Sequence, residues 1–269
     1  MLIWMCALHC EAKPVIDYYR LKKNGECHVF DLYQGDGITC IVSGMGELNM
    51  AEACAWAAGH FAQHNLCWIN LGIAGHASFP VGSLLLATQV LQHDNGQAIY
   101  PIPLIKHQMQ TATLISQSSE RLDYHATAAY DMEAYAFLHS CSRFTPLELC
   151  SCIKVISDNA DTAPVRDKAQ ISQLIARHMQ HIADYAASLQ QIAADYEQQM
   201  LAPTQLHRFT QLAHFTRSQQ LQLGKILLGL RAFDPELDAT FQQVQQQPNS
   251  KSILQDLQRR LNRHSENLS

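Results

Sequence analysis

The stretch CWINLGIAG at positions 67–75 indicates how this chain folds. Residues 67–71 are a short apolar run, which is typical of a strand buried inside a sheet. The segment Gly72-Ile73-Ala74-Gly75 is predicted to end that strand in a glycine-rich turn. In open α/β sheets the ligand site lies outside the carboxyl ends of the strands. The sequence therefore predicts a binding site at this turn.

Apolar runs that end in polar residues recur toward both ends of the chain. Residues 2–8 form the first and Glu11 follows them, whereas residues 149–156 form another, which ends in Ser157-Asp158. Strands that alternate with helices indicate a three-layer α/β domain. Further strands are predicted at 27–33, 38–42 and 83–91, glycine turns at 35–37 and 43–46, and helices at 14–21, 49–64, 129–142 and 169–200.

The last part of the chain has a different pattern. Pro203 interrupts the long predicted helix, and apolar residues then recur at helical spacing over 206–230. A glutamine-rich patch at 242–247 precedes Pro248, and a last amphipathic helix is predicted around 253–261. We therefore predict an α/β domain over residues 1–200 and a helical extension over 201–269. Capping the first domain and mediating self-association are both compatible with this extension.

The composition limits the classes of function. Hydrophobic residues make up 47% of the 269 positions and charged residues 16%, which suits a globular domain with a large core. The net charge of −5 and the lack of a basic stripe argue against a nucleic-acid partner and favour a small-molecule substrate. No apolar run is long enough to span a membrane. The first residues lack the basic region of a signal peptide, so a cytoplasmic protein is expected.

Cysteine and histidine are frequent but do not form a recognisable metal motif. The nine cysteines are irregularly spaced, and we interpret them as small buried hydrophobic residues in a reducing compartment. His178 and His181 are three residues apart on a predicted helix and have the spacing of metal ligands, but we favour a solvated helix face as their explanation. We predict neither a metal nor a cofactor.

Three acids occupy positions where chemistry is expected. Glu11 and Asp158 follow buried strands, and Glu133 stands where a helix begins. Each has an ordinary structural interpretation, because an acid after a strand is often a helix cap and an acid in a first turn favours the helix dipole. It is their combination that indicates an active site.

The flanking residues resemble the nucleoside phosphorylase superfamily, and most closely its methylthioadenosine/adenosylhomocysteine nucleosidase branch. The similarity covers about residues 1–190 and depends on several motifs in the same order. These motifs are Ala7-Leu8-His9-Cys10-Glu11, Val42-Ser43-Gly44-Met45-Gly46, Asn70-Leu71-Gly72-Ile73-Ala74-Gly75 with Val81-Gly82-Ser83, Met132-Glu133-Ala134, and Ile156-Ser157-Asp158-Asn159-Ala160-Asp161.

The resemblance implies a mixed central sheet, a homo-oligomer, and a role for each acid. Asp158 would protonate the purine, which requires a raised pKa, and Asp161 is a possible second partner. Glu133 would accept hydrogen bonds from the ribose hydroxyls, and its charge would favour a cationic sugar. Glu11 would orient the nucleophile, which is water in a hydrolase. The substrate would also be bound by Met45, Ala74, Gly75, Met132, Lys154, Ser157 and Ala160.

Some positions depart from the family pattern. Ile73 replaces a hydroxyl residue near the nucleophile, and Lys154 replaces an arginine. The segment 76–79 lacks the arginine that binds phosphate in phosphorylases, which favours hydrolysis. The segment between residues 93 and 130 is short, so Tyr100, Tyr124 or His125 would have to replace its base-binding aromatics. The short middle segment, the aliphatic Ile73 and the helical extension together resemble the hopanoid-associated branch of the superfamily.

Three functions follow, in order of preference. The first is hydrolysis of the ribose–base bond of an adenosine-like nucleoside by a purine nucleosidase. The second is the phosphate-dependent cleavage of the same bond by a phosphorylase. The third is a catalytically impaired protein that binds nucleosides or acts as a scaffold, with the helical extension as its working surface.

Overall fold

The computed structural model describes residues 1–61, 66–119, 124, 128–199 and 203–266. The chain divides into two compact units, Met1–Ala194 and Asp195–Ser269. The division falls within a helix, Met179–Gln199. No helix among the described residues combines the length and the apolar character needed to cross a membrane.

The first unit contains one mixed sheet. Strand β1 lies inside it, parallel to β4 on one side and to β5 on the other. The strands β5, β10, β6, β8 and β9 pair in a closed ring, because β10 pairs with both β5 and β6. The strands are β1 (Leu2–Cys6), β2 (Lys22–Lys23), β3 (Asp31–Gly35), β4 (Ile38–Val42), β5 (Cys67–His76), β6 (Leu84–Gln92), β7 (Ala98–Ile99), β8 (Gln110–Ser116), β9 (Ala128–Asp131) and β10 (Cys150–Asp158).

Helices cover the sheet on both faces. Side chains of β1 alternate between two cores, with Trp4 in one and Met5 in the other, which explains why the whole strand is apolar. The three-layer arrangement and the mixed sheet that the sequence predicts are confirmed. The helices are α1 (His9–Tyr19), α2 (Glu47–Phe61), α3 (Ala134–Cys141), α4 (Lys168–Ala176) and α5 (Met179–Gln199), with a 3-10 turn at Leu147–Leu149.

Helix α1 begins earlier than the sequence predicts. It starts at His9, so Glu11 lies in its first turn and Pro14 is inside the helix rather than at its start. Proline has no amide hydrogen, so the carbonyl four residues before it loses its helical donor. That carbonyl belongs to Cys10, and it accepts a hydrogen bond of 2.6 Å from the hydroxyl of Ser172 in α4. A contact between helices thus replaces the missing bond.

Several predicted boundaries are also wrong. Strand β5 does not end at residue 71, because β9 and β10 pair with its glycine-rich end. The predicted helix at 129–142 starts with a strand, β9, which β5 and β8 hold from both sides. The predicted helix at 169–200 is two helices, which break at residues 177–178, where the ring of His178 hydrogen-bonds the Gly82 carbonyl. The strand predicted at 27–33 starts at Asp31, and β8 escapes prediction altogether.

The second unit has a hydrophobic core of its own. Phe209, Leu227 and Leu257 are fully or almost fully buried in it. The side chains of Thr216 and Gln219 cap the start of one helix reciprocally, as a capping box. Its helices are α6 (Pro203–Thr210), α7 (Arg217–Leu230), α8 (Asp238–Val244) and α9 (Ser250–Glu266).

Candidate active site

A cavity of about 300 Å³ lies where the carboxyl ends of β5, β9 and β10 meet the start of α1. It brings together Glu11, Glu133 and Asp158, which are far apart in the sequence. A larger depression of about 830 Å³ between α1 and α4 contains none of these acids and shares only Leu8 with it. The chemistry of the side chains, rather than cavity size, identifies the candidate site.

Glu11 is fixed from two directions by backbone amides. Its Oε2 accepts the amide of Leu8 at 2.9 Å, and its Oε1 accepts the amide of Ile73 at 2.9 Å. Burial raises the pKa of the Glu11 carboxyl, and the charge of Lys154 and the two amides partly oppose that rise. The side chain of Ile73 cannot donate a hydrogen bond, but its backbone amide does.

Two glycines in β5 make room for the acids. A Cβ atom on Gly72 would lie 2.7 Å from Oε1 of Glu11, and one on Gly75 would lie 2.5 Å from the hydroxyl oxygen of Tyr124 and 2.8 Å from Oδ2 of Asp158. All three distances are well inside van der Waals contact. The glycines therefore serve close approach of the two carboxyl groups to an extended strand, and not a turn that ends it.

Glu133 is the N-cap residue of α3. Its Oε1 accepts a hydrogen bond of 2.7 Å from the amide of Gly46, in the turn before α2. Gly46 has a φ of 95°, which a residue with a side chain rarely adopts. Burial, followed by the nearby charge of Asp131, raises the pKa of Glu133 to about 7, although Lys154 opposes this.

Asp131 forms a buried ion pair with Lys154 at the edge of the cavity. The Lys154 Nζ lies 2.8 Å from Oδ2 of Asp131, and the two side chains are 2% and 1% exposed. Burial lowers the pKa of the Lys154 amine, but Asp131, Glu133 and Glu11 outweigh it and the pKa is raised overall. Lys154 does not line the cavity, so the structure places it behind the acids rather than against a ligand.

Asp158 is the last residue of β10, next to a register irregularity in its pairing with β5. The hydroxyl of Ser157 donates to its Oδ1, and the hydroxyl of Tyr124 donates to its Oδ2. The ring of Tyr124 also lies against that of Tyr130, with centroids 5.5 Å apart. Both oxygens of Asp158 thus face hydroxyl groups at one end of the cavity.

Of the other residues that the sequence singles out, some line the cavity and others lie elsewhere. Met45, Ala74, Gly75, Met132 and Ser157 line the cavity together with Ile73 and Tyr124. Ala160 does not line it, and its amide donates to the Ala77 carbonyl. The amide of Asp161 donates to the side chain of Asn159. Tyr100 is exposed and hydrogen-bonded to Gln89, and His125 is outside the described residues. Lining residues that sequence reasoning missed are Gln117, Tyr130, Asp131, Pro164, Val165, Arg166 and Ile171.

His76, the last residue of β5, has a structural role. The Nδ1 of His76 accepts hydrogen bonds from the amides of Ser78 and Phe79, and its ring stacks on Phe79, so it shapes the turn after β5.

Within the described part of the chain, no three His, Cys, Asp or Glu side chains are grouped so that they could hold a metal ion.

Solved structures share this fold. An MTA/SAH nucleosidase superposes with a TM-score of 0.59 at 16% identity, over 69% of this chain and 95% of that one. The nucleosidase of Colwellia psychrerythraea 34H, in complex with adenine, gives a TM-score of 0.55 at 18% identity over 70% and 94% of the two chains. The Chlamydia trachomatis protein gives 0.53 at 23% identity over 69% and 97%. No protein-family model and no curated protein sequence matches the chain. The predicted resemblance is therefore confirmed at the level of the fold.

Proposed function

We propose that the protein is a purine nucleosidase that hydrolyses the ribose–base bond of an adenosine-like nucleoside. One observation supports this most. A single cavity at the carboxyl ends of β5, β9 and β10 holds Glu11, Glu133 and Asp158. The solved structures with the same fold are described as nucleosidases, and one of them contains adenine.

The three acids suit the charge changes of this reaction. Cleavage of the bond leaves negative charge on the departing purine, which a proton from Asp158 would neutralise. The sugar develops positive charge, which the carboxylate of Glu133 would stabilise while it accepts hydrogen bonds from the ribose hydroxyls. Met45 and Met132 offer soft apolar surfaces beside it.

Glu11 is suited to orient the attacking water. Each of its oxygens already accepts one backbone amide, and a carboxylate oxygen can accept a second hydrogen bond. A water held by Glu11 is then aimed by a group whose own orientation is fixed, which is what productive attack requires.

The decisive experiment measures release of the free base. The purified protein is incubated with adenosine, inosine and 5′-alkylthio adenosines, with and without phosphate, and the products are separated by chromatography. We expect free purine and free sugar without phosphate, and almost none from Asp158→Asn. Absence of base from every nucleoside under both conditions would contradict the proposal.

One observation favours phosphorolysis as a second candidate. Arg166, which lies outside the family's phosphate-binding segments, lines the cavity and could contact an anion there. Strict dependence of base release on phosphate, with sugar phosphate as the product, would identify a phosphorylase. In that case Arg166→Gln should raise the KM for phosphate much more than the KM for the nucleoside.

The third candidate, a protein that binds nucleosides without cleaving them, predicts a different experimental result. The hydroxyl of Tyr124 donates to Asp158, the group assigned to protonate the base. If this contact persists with ligand bound, nucleosides should raise the unfolding temperature without any release of base. Asp158→Asn would then leave the thermal shift nearly unchanged.

A homo-oligomer is part of the same proposal. The resemblance implies it, and light scattering coupled to size-exclusion chromatography measures it directly. A mass near 30.2 kDa at assay concentrations would contradict it.

A further inference from the structure

Asp131 connects two parts of the site that the proposed function uses separately. Its Oδ1 accepts the hydroxyl of Ser116 at 2.6 Å. Its Oδ2 accepts the amide of Ala134 at 2.9 Å and lies 2.8 Å from Nζ of Lys154. One carboxylate thus fixes both the first residue of α3 and the buried amine.

Each of these contacts leads to a different acid. Glu133 is the N-cap of α3, so a hydrogen bond to the amide of Ala134 holds the backbone that carries the Glu133 side chain. The charge of Lys154 acts on both Glu133 and Glu11. Asp131 therefore influences the acid assigned to the ribose and the acid assigned to the water.

The balance of charge makes the position of Lys154 important. Three buried carboxyl groups, those of Glu11, Asp131 and Glu133, surround this one buried amine. Buried like charges disfavour each other's ionised forms, and a buried cation favours them. A small movement of the amine would therefore change how readily Glu133 and Glu11 ionise.

We propose that Asp131 is a positioning residue that sets the placement and the ionisation of Glu133, and through Lys154 those of Glu11. Asp131 lines the cavity, and in this role it acts through the Ala134 amide and Lys154. The inference rests on the proposed function, because the ionisation of Glu133 affects the rate only if the reaction needs an ionised Glu133.

Other groups also face Glu133 and enter the expected pH dependence. The Gly46 amide binds it from the turn before α2, Glu11 acts from α1, and Lys154 acts from β10. Asp158, Tyr124, Tyr130 and Arg166 line the same cavity. Burial is the largest cause of the raised pKa of Glu133, and the negative charge of Asp131 is the second largest.

The test is the pH profile of base release by Asp131→Asn. Asparagine keeps an oxygen for the Ala134 amide but removes the like charge, so Glu133 ionises more easily. The acid limb of kcat/KM should move to lower pH by about half a unit or more. Because Lys154 loses its main partner, kcat should fall at least about tenfold, with a smaller change in KM. An acid limb at the wild-type pH would overturn the proposal.

Two further variants separate charge from placement. Asp131→Glu keeps the charge but moves it by one methylene, so kcat should fall while the acid limb stays in place. An unchanged kcat in Asp131→Glu would contradict the positioning role, even if Asp131→Asn fails to fold. Asp17→Asn removes an exposed carboxylate of α1 that pairs with Lys13, and should change neither quantity.

Thermal unfolding tests the inference without any substrate. A carboxyl group with a raised native pKa stabilises the fold at low pH, and this contribution is lost as the pH rises through that pKa. In Asp131→Asn the loss should be complete at a lower pH than in the wild type. If no nucleoside is cleaved but this shift is present, the proposed function fails and the ionisation argument stands. If base is released and neither profile moves, the inference fails alone.

Discussion

A methyl group on Gly72 would lie 2.7 Å from Oε1 of Glu11, and the Lys154 Nζ would be 3.4 Å from it. The absence of a side chain at position 72 therefore determines where the carboxyl group of Glu11 can lie. This close approach is the reason that a glycine occupies the middle of a buried strand, where glycine otherwise destabilises the sheet.

Replacement of Gly72 by alanine should displace Glu11. We expect Gly72→Ala to lower kcat/KM for base release by about 100-fold, because a displacement near 1 Å at a positioned group has effects of that size. The control is Gly59→Ala in α2, where a new Cβ meets nothing within 4 Å. That variant should keep full activity and gain about 0.5 to 1 kcal/mol of stability. Equal activity of both variants would rule out this role for Gly72.

Loss of the acid at position 158 should separate binding from catalysis. Asp158→Asn keeps the shape of the side chain, with an oxygen that accepts one of the two neighbouring hydroxyls and an NH₂ group that donates to the other, but it cannot deliver a proton to a base. We expect kcat to fall by about 10² to 10⁴, the usual contribution of a general acid. The affinity for adenine, measured by titration calorimetry, should change little. A variant with near wild-type kcat would show that another group protonates the base.

The buried Glu133 should make stability depend on pH. The pKa of Glu133 is raised to about 7, above its value in the unfolded chain, so the protonated form favours the native state. This contribution is complete at pH values below about 4.5 and is lost as the pH rises to about 7. Glu133→Gln, which stays neutral, should be more stable than the wild type at pH 8 by up to about 3 kcal/mol relative to their difference at pH 4.5. Parallel stability curves for the two proteins, measured with urea, would refute this.

The hydrogen bond from Ser172 to the Cys10 carbonyl should be coupled to Pro14. Ser172→Ala leaves a carbonyl without a donor and should cost about 1 to 2 kcal/mol of unfolding free energy. In a Pro14→Ala background, residue 14 regains an amide that can donate to Cys10, so the same change should cost less. The double-mutant cycle measures this coupling directly. Ser188→Ala, which removes an exposed hydroxyl bonded to the Asp184 carbonyl, is the matched control.

The order of strands and helices near the acids was predictable, but their boundaries were not. Short apolar runs identify β1, β4, β5 and β10, because a strand that is buried on both faces is apolar throughout and does not alternate between apolar and polar residues. Strand β9 looked like the start of a helix, since four residues carry almost no periodicity of their own. Its pairing with β5 and β8 decides its conformation.

The amino-acid sequence by itself determined the α/β class, the helical extension and the three acids of the candidate site, because residue type and local order carry that information. Only the tertiary structure decided that Gly72 accommodates Glu11, that Ser172 supplies the donor that Pro14 removes from α1, and that Asp131 holds Lys154 behind the acids. These relationships join residues 23 to 162 positions apart. They depend on distances of a few ångströms between elements, and no local pattern encodes such distances.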